Sequence, residues 1–205
     1  MMRLQLLGSF AVFWLISLGV MAPRAQAQIW GSRALNAVMR PSGELLNRQD
    51  PPRVNQAMAG LITPANSSVV ISLGRQRLYL MMGDEVYLDS PISSGKAGHA
   101  TPKGRFVVTE KDLNHRSSIY GNFVDGSGRV VRAGVSTRSD VAPSGTRYQG
   151  APMKYFCRLT SSGVGFHVGI LPGYPASHGC IRLPEDAAAL IYAKMALGTK
   201  VVITD

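Results

Sequence analysis

Ser177-His178-Gly179-Cys180-Ile181-Arg182, with His167 a short loop upstream, is the stretch from which the rest of the chain is read. A thiol beside glycine, at the end of a loop and just before a helix start, is well placed for a nucleophile. Glycine lets the backbone approach a substrate carbonyl and take dihedrals that other residues resist. The N–H groups of Gly179 and Cys180 are expected to converge as an oxyanion hole, often the largest single catalytic contribution. A free cysteine is only a few per cent thiolate near neutral pH, so it needs a partner base. His178 lies two residues before Cys180. His167 ends an apolar run that reads as a strand, and a rigid strand orients a base better than a loop does.

Other readings of these residues stand beside this one. His167, His178 and Cys180 offer three metal donors, but their spacing matches no common zinc site. Cys157 and Cys180, the two cysteines of the chain, are a candidate disulfide in an oxidising compartment. Against that pairing, Cys157 falls in Met153-Lys154-Tyr155-Phe156-Cys157-Arg158-Leu159, an alternating run that reads as a strand. There it shares a face with Met153, Tyr155 and Leu159 as a small buried hydrophobe. Arg182 is either a substrate anchor or a solvated charge. Unaided, the constellation reads as a cysteine nucleophile for acyl transfer and names no substrate.

Around that centre the chain divides simply. Met1 to Ala27 has a basic start at Arg3, an apolar core and a small-x-small site at Ala25-Gln26-Ala27, the pattern of an export signal. Left uncleaved, residues 4–22 would serve as a membrane anchor. Residues 28–66 carry Pro41, Pro51, Pro52 and Pro64 without a sustained period and read as a linker. The 205 residues therefore suit a leader, a linker and one domain over 67–205. Two of the 22 basic and none of the 12 acidic side chains fall within the first 27 positions. The formal charge of +10 thus belongs mainly to the remainder and points to an anionic surface nearby. There is no run of five like charges and no nucleic-acid motif, so nucleic acid is not expected as a partner.

Within 67–205, Val69–Leu73 is a buried-strand run, and Gly83-Asp84 between two apolar runs is a hairpin signal. Phe106–Thr109, 153–159, Val164–Val168 and Lys200–Thr204 are further strands. Pro184-Glu185-Asp186 opens a helix that runs to Leu197 and stops at Gly198. Residues 112–150, polar and rich in glycine, read as a long exposed loop or as a lid, with Ser117, Tyr120 and Tyr148 as the lid candidates. The class is mainly β with one C-terminal helix after the cysteine loop.

Phe166-His167-Val168-Gly169 followed by Ser177 to Arg182 resembles the active-site signature of bacterial L,D-transpeptidases, the YkuD-type catalytic domain. Ser93-Ser94-Gly95-Lys96 and Thr101-Pro102-Lys103-Gly104-Arg105-Phe106 resemble its upstream segment. The likeness covers about residues 67–204. It implies a β-sandwich with the cysteine at the mouth of a groove; the export signal, cleaved or not, already sets the working part outside the cytoplasm, in the periplasm or cell envelope. The likeness implies that Cys180 attacks a peptidoglycan tetrapeptide stem after the L-centre of its third residue, releasing D-alanine. The thioester then passes to a neighbouring stem amine in a 3→3 cross-link. His167 would be the base, with Ser177, His178 and Gly179 shaping the oxyanion hole, and Arg182 would stabilise the loop or meet a substrate carboxylate; Tyr120, from the lid, is the other candidate substrate contact. No metal or cofactor is implied. Transfer of the same thioester to a protein amine, or to water in a carboxypeptidase or amidase, remains open. A non-catalytic wall-binding module would be expected to lack the nucleophile. The chain departs from the family in the short segment between His167 and Ser177, and in having no room for a separate wall-binding module.

Overall fold

Alternation of apolar and polar residues along extended segments needs a partner sheet to bury one face, and the chain supplies two. The computed structural model describes residues 49–205. The expected leader and anchor, and the linker as far as residue 48, lie outside the described residues. The strands are β1 (Arg53–Val54), β2 (Ser67–Ser72), β3 (Arg77–Met82), β4 (Glu85–Pro91), β5 (Gly104–Val107), β6 (Glu110–Val124), β7 (Val130–Ser136), β8 (Arg147–Arg158), β9 (Gly165–Val168), β10 (Ile181–Leu183) and β11 (Lys200–Thr204); α1 spans Glu185–Lys194. They form a six-stranded sheet ordered β1-β4-β3-β2-β11-β5 and a five-stranded sheet ordered β10-β9-β8-β6-β7.

One core joins them. Val69, Ile71, Leu78, Leu80, Leu88, Val201 and Ile203 of the first sheet pack with Cys157, Phe166, Ile181 and Leu183 of the second and with Ala187, Ala188 and Ile191 of α1. Each fully buried aliphatic side chain contributes about 1.5–3 kcal/mol of transfer free energy. The expected hairpin is present, with Gly83 at φ 59 in the turn between β3 and β4. The later part of the expected linker is integrated into this body. Arg53 and Val54 pair with β4, and Met58 and Ile62 are only 3% and 1% exposed.

Three local expectations change. Most of residues 112–150 is strand rather than loop. β6 and β8 pair from Glu110↔Arg158 to Val124↔Arg147, with a register shift between Arg116 and Gly121. Their side chains are largely polar and only partly buried, so the pairing leaves little apolar period to read; the backbone ladder holds these residues instead. α1 ends at Lys194 rather than Leu197. Met195 turns extended at φ −124, and Leu197 is 64% exposed. Lys111 Nζ donates to the carbonyls of Tyr192 (2.7 Å) and Met195 (2.6 Å), meeting the carbonyls that a helix end leaves unpaired.

The third change is in β8. Tyr155 has φ 58, a left-handed conformation that aromatic residues rarely adopt. The alternation breaks there. Cys157, Leu159 and the partly buried Tyr155 belong to the core cluster, while Met153 lies outside it. Phe156, also fully buried, stacks on His115 instead, with ring centroids 4.2 Å apart.

Candidate active site

His167 and Cys180 meet through a parallel pair. β9 and β10 run side by side with Phe166 opposite Ile181 and His167 opposite Arg182. Parallel neighbours need a crossing connection of about a dozen residues, which the loop 169–180 provides. Because side chains alternate along a strand, Cys180 falls on the same face as Arg182 and hence as His167. The two cysteines are both free, with Cys157 buried in the core.

The imidazole of His167 is held by its own strand. Nδ1 is 2.7 Å from the carbonyl oxygen of Val168. A carbonyl only accepts, so Nδ1 carries the proton and Nε2 keeps its lone pair. The ring is 8% exposed, and burial pushes its pKa down to about 4, against the opposing pull of the Val168 carbonyl. Cys180 is pushed up, again chiefly by burial, while the Gly165 N–H and the charges of Arg182 and Arg158 pull it down. Its Sγ lies 3.6 Å from the carbonyl oxygen of Gly163. The resting pair is therefore a neutral thiol and a neutral imidazole.

The cysteine loop is fastened to Ser93–Gly95 by backbone. Ser93 N–H donates to the Arg182 carbonyl and Arg182 N–H to the Ser93 carbonyl, both at 3.0 Å; Ala176 and Ser177 donate to Ser94, and Lys96 donates to Ser177. Ser93 Oγ donates to the Tyr174 carbonyl at 2.7 Å. Ser177 Oγ donates to the Cys180 carbonyl and accepts the Gly179 N–H at 3.1 Å. Gly179 has φ 117, a backbone conformation that L side chains rarely adopt. Arg182 lies against Gly169, where a Cβ would sit 2.7 Å from the Arg182 Cγ. The ring of His178 stacks on that of Tyr120 at 4.3 Å and meets that of His99 edge-on at 4.8 Å. Burial, with Lys96 and His99 adding, lowers its pKa.

A model of the L,D-transpeptidase catalytic domain, YkuD, matches residues 66–203. The chain belongs to that family. Among solved structures, this family member is similar to an L,D-transpeptidase from Mycobacterium smegmatis, with a TM-score of 0.52 and 22% identity over 68% of this chain and 59% of that one. It is also similar to the L,D-transpeptidase LdtMt1 in complex with imipenem, with a TM-score of 0.51, 22% identity and the same coverage of 68% and 59%. At such identity these likenesses establish the fold. The chain spans about three-fifths of the length of those two proteins. Comparison with curated proteins gives no match.

In this L,D-transpeptidase-family domain the structure brings together Cys180, His167 and Arg182, and places Ser177, His178 and Gly179 in the same loop. Tyr120 reaches the loop through His178. Tyr148 does not reach it; its Oη donates to the Ser117 carbonyl at 3.1 Å, inside the β6–β8 irregularity. Gly179 N–H, expected to point at substrate, is engaged by Ser177 Oγ. Sequence reasoning passed over the roles of Thr101, His99, Gly165 and Arg158. Thr101 stands in a quoted motif and carried a signal. The other three owe their positions to strand register and loop packing, which no local pattern reveals. A separate groove lined by Pro51, Pro52, Pro91, Leu171, Pro172 and Pro184 holds none of the expected site residues.

Proposed function

We propose that this chain is a peptidoglycan L,D-transpeptidase acting outside the cytoplasm, in the periplasm or cell envelope. Family membership over residues 66–203 gives the reaction class. The observation that carries the residue roles is the His167 geometry: a fixed Nδ1–H and an unprotonated Nε2 on the face of Cys180.

With both groups neutral at rest, the thiol is not a preformed thiolate. As Sγ attacks the carbonyl carbon of the stem amide, its proton passes to His167 Nε2, which acts as general base. The Cys180 N–H stabilises the developing oxyanion, while Ser177 holds Gly179 and the loop in shape. His167 then gives the proton to the departing amine of D-alanine, leaving a thioester on Cys180. An incoming stem amine attacks that thioester and loses its proton to Nε2. Collapse restores the thiol and forms the 3→3 link. Arg182, packed beside His167, meets the substrate carboxylate, and Tyr120 with His178 walls the groove. Residues 4–22 would tether the domain to the membrane if uncleaved, and a protein amine is an acceptor of the same chemistry.

Intact mass after incubation with a carbapenem and, separately, with disaccharide-tetrapeptide tests the assignment. An adduct on Cys180, with cross-linked dimers whose donor lacks the terminal D-alanine, is expected. An adduct with tripeptide as the sole product moves the reaction to hydrolysis. Cys180→Ala is expected to abolish turnover with the fold intact; unchanged turnover in that variant overturns the mechanism.

A further inference from the structure

The five-stranded sheet buries a ring on the face turned away from the main core. Cys157 and Phe166 point into that core, and neighbours along a strand point the other way. Phe156 is fully buried without belonging to the core cluster. Its ring lies over the backbone of Gly165, where Cε2 stands 2.7 Å from the position a Cβ would take. Gly165 shares a face of β9 with His167, and the register of β9 with β10, taken one residue back, sets it beside Cys180. Arg158 stands opposite Gly165, and one row further the same register sets Phe156 beside His167. The ring therefore packs onto the strand face that carries the base and the nucleophile.

Two side chains close over the ring. The imidazole of His115 lies flat on it, with centroids 4.2 Å apart and planes 14° from parallel. Arg158 Cζ sits 5.2 Å from its centre, with Nε donating to the Glu110 carboxylate. His115 is itself tied down. Its Nδ1 lies 3.0 Å from Asp112 Oδ2, and an ionised carboxylate only accepts, so Nδ1 carries the proton. The other oxygen of Asp112 accepts the Asn114 N–H at 3.0 Å. These bonds, that to His115 foremost, hold Asp112 below the usual carboxylate range. On the opposite strand Tyr155, at φ 58, immediately precedes Phe156. Backbone strain of that kind persists only where the surroundings enforce it, and it collects at functional sites. An exposed pair such as Asp112 and His115 adds little to stability, so stability is a weak reason for fixing this ring.

We propose that His115 is a positioning residue for acyl transfer: held by Asp112, it clamps the Phe156 ring against β9 and keeps water from the buried side of His167. The base depends on that dryness. His167 is 8% exposed, and burial is the first cause of its low pKa. The titratable groups around the stack are Glu110 and Asp112 of β6, Arg158 of β8, Cys180 and Arg182 at β10, and Tyr192 of α1, on which Asp112 bears. The charge of His115 also reaches His167, where with Arg182 it opposes protonation. Cover and charge act in the same direction on His167, and the test separates them. The inference rests on the acyl-transfer reading above and adds what shields its base.

The imidazole of His167 is titrated by NMR in the full chain, beside the pH profile of carbapenem acylation. His115→Ala uncovers the Phe156 ring, water reaches His167, and its pKa rises from about 4 toward the unperturbed value. The His167 titration and the acid limb of acylation are both expected to move up by about one pH unit. His115→Gln, a second removal of the ring, is expected to do the same. His115→Phe keeps a flat ring on Phe156 without the charge, and both readings should stay within about 0.3 unit of wild type. Unmoved titrations in folded His115→Ala and His115→Gln overturn the inference. An equal shift in all three variants overturns it as well, because the lost charge alone then accounts for the effect. The NMR titration needs no turnover. A wild-type chain that forms no adduct removes the acyl-transfer reading, and the shifts of His167 still decide whether His115 shields it.

Discussion

The hydroxyl of Thr101 donates to the carbonyl of Gly179 at 2.7 Å while accepting the N–H of Gly95 at 2.9 Å. One buried side chain thus ties the Ser93–Gly95 segment to the residue before the nucleophile. Thr101→Val keeps the shape and leaves both backbone groups unpaired. A loss of about 1–3 kcal/mol in stability is expected. A larger proportional fall is expected in the rate of Cys180 acylation, because the loop loses its fixed geometry. Thermal unfolding beside single-turnover acylation separates the two; a stability loss with unchanged acylation would show that Thr101 does not position the loop.

The pH dependence follows from burial. His167 has a folded pKa of about 4, below the unperturbed value near 6.5, so between these values the unfolded chain binds more protons. Stability from this residue is fully present above about pH 6.5 and is lost as pH falls toward 4, by up to about 3 kcal/mol. Denaturant unfolding of wild type and His167→Gln across that window checks the sign, the variant being the flatter of the two. The acid limb of acylation should fall near pH 4. Alkylation of Cys180 by a small neutral reagent should rise only in the alkaline range, since its thiol is pushed above the ordinary value.

Cys157 is fully buried among Phe166, Leu159 and their neighbours, and desolvation pushes its thiol up to about 12. It should resist alkylation in the folded protein while Cys180 reacts. Cys157→Ser is expected to retain near-wild-type turnover and to lose about 1–3 kcal/mol of stability, the cost of burying a hydroxyl there. A gain of activity in oxidised samples would instead mean that the two cysteines bond.

Legibility in the sequence divided along physical lines. The Gly83-Asp84 turn, the strand at Lys200–Thr204 and the start of α1 rest on local chemistry, and each appears where the residues put it. His167 and the loop around Cys180 stood out because glycine, histidine and cysteine sat in a rare order. Residues 112–150, from β6 to the start of β8, read as loop because their polar faces carry no period and their hydrogen bonds are made to distant partners. The break at Tyr155 was invisible for a related reason: the surrounding fold holds its positive φ, and an aromatic residue gives no local hint of it. Arg158, whose charge bears on Cys180, shows its place only once β8 and β9 are laid in register, with Arg158 opposite Gly165.

The bonds around the cysteine loop also bear on when the site comes into being. Thr101 and Gly179 are 78 positions apart, and Ser93 and Tyr174 are 81 apart. Closing such long loops carries its entropy cost before the contacts reward it, which makes pairings of this kind slow to form. A chain still folding therefore carries at position 180 an ordinary thiol, with no base fixed on its face and no loop closed behind it. Competence arrives with the closing of the molecule, so an incompletely folded copy cannot acylate itself on passing peptides.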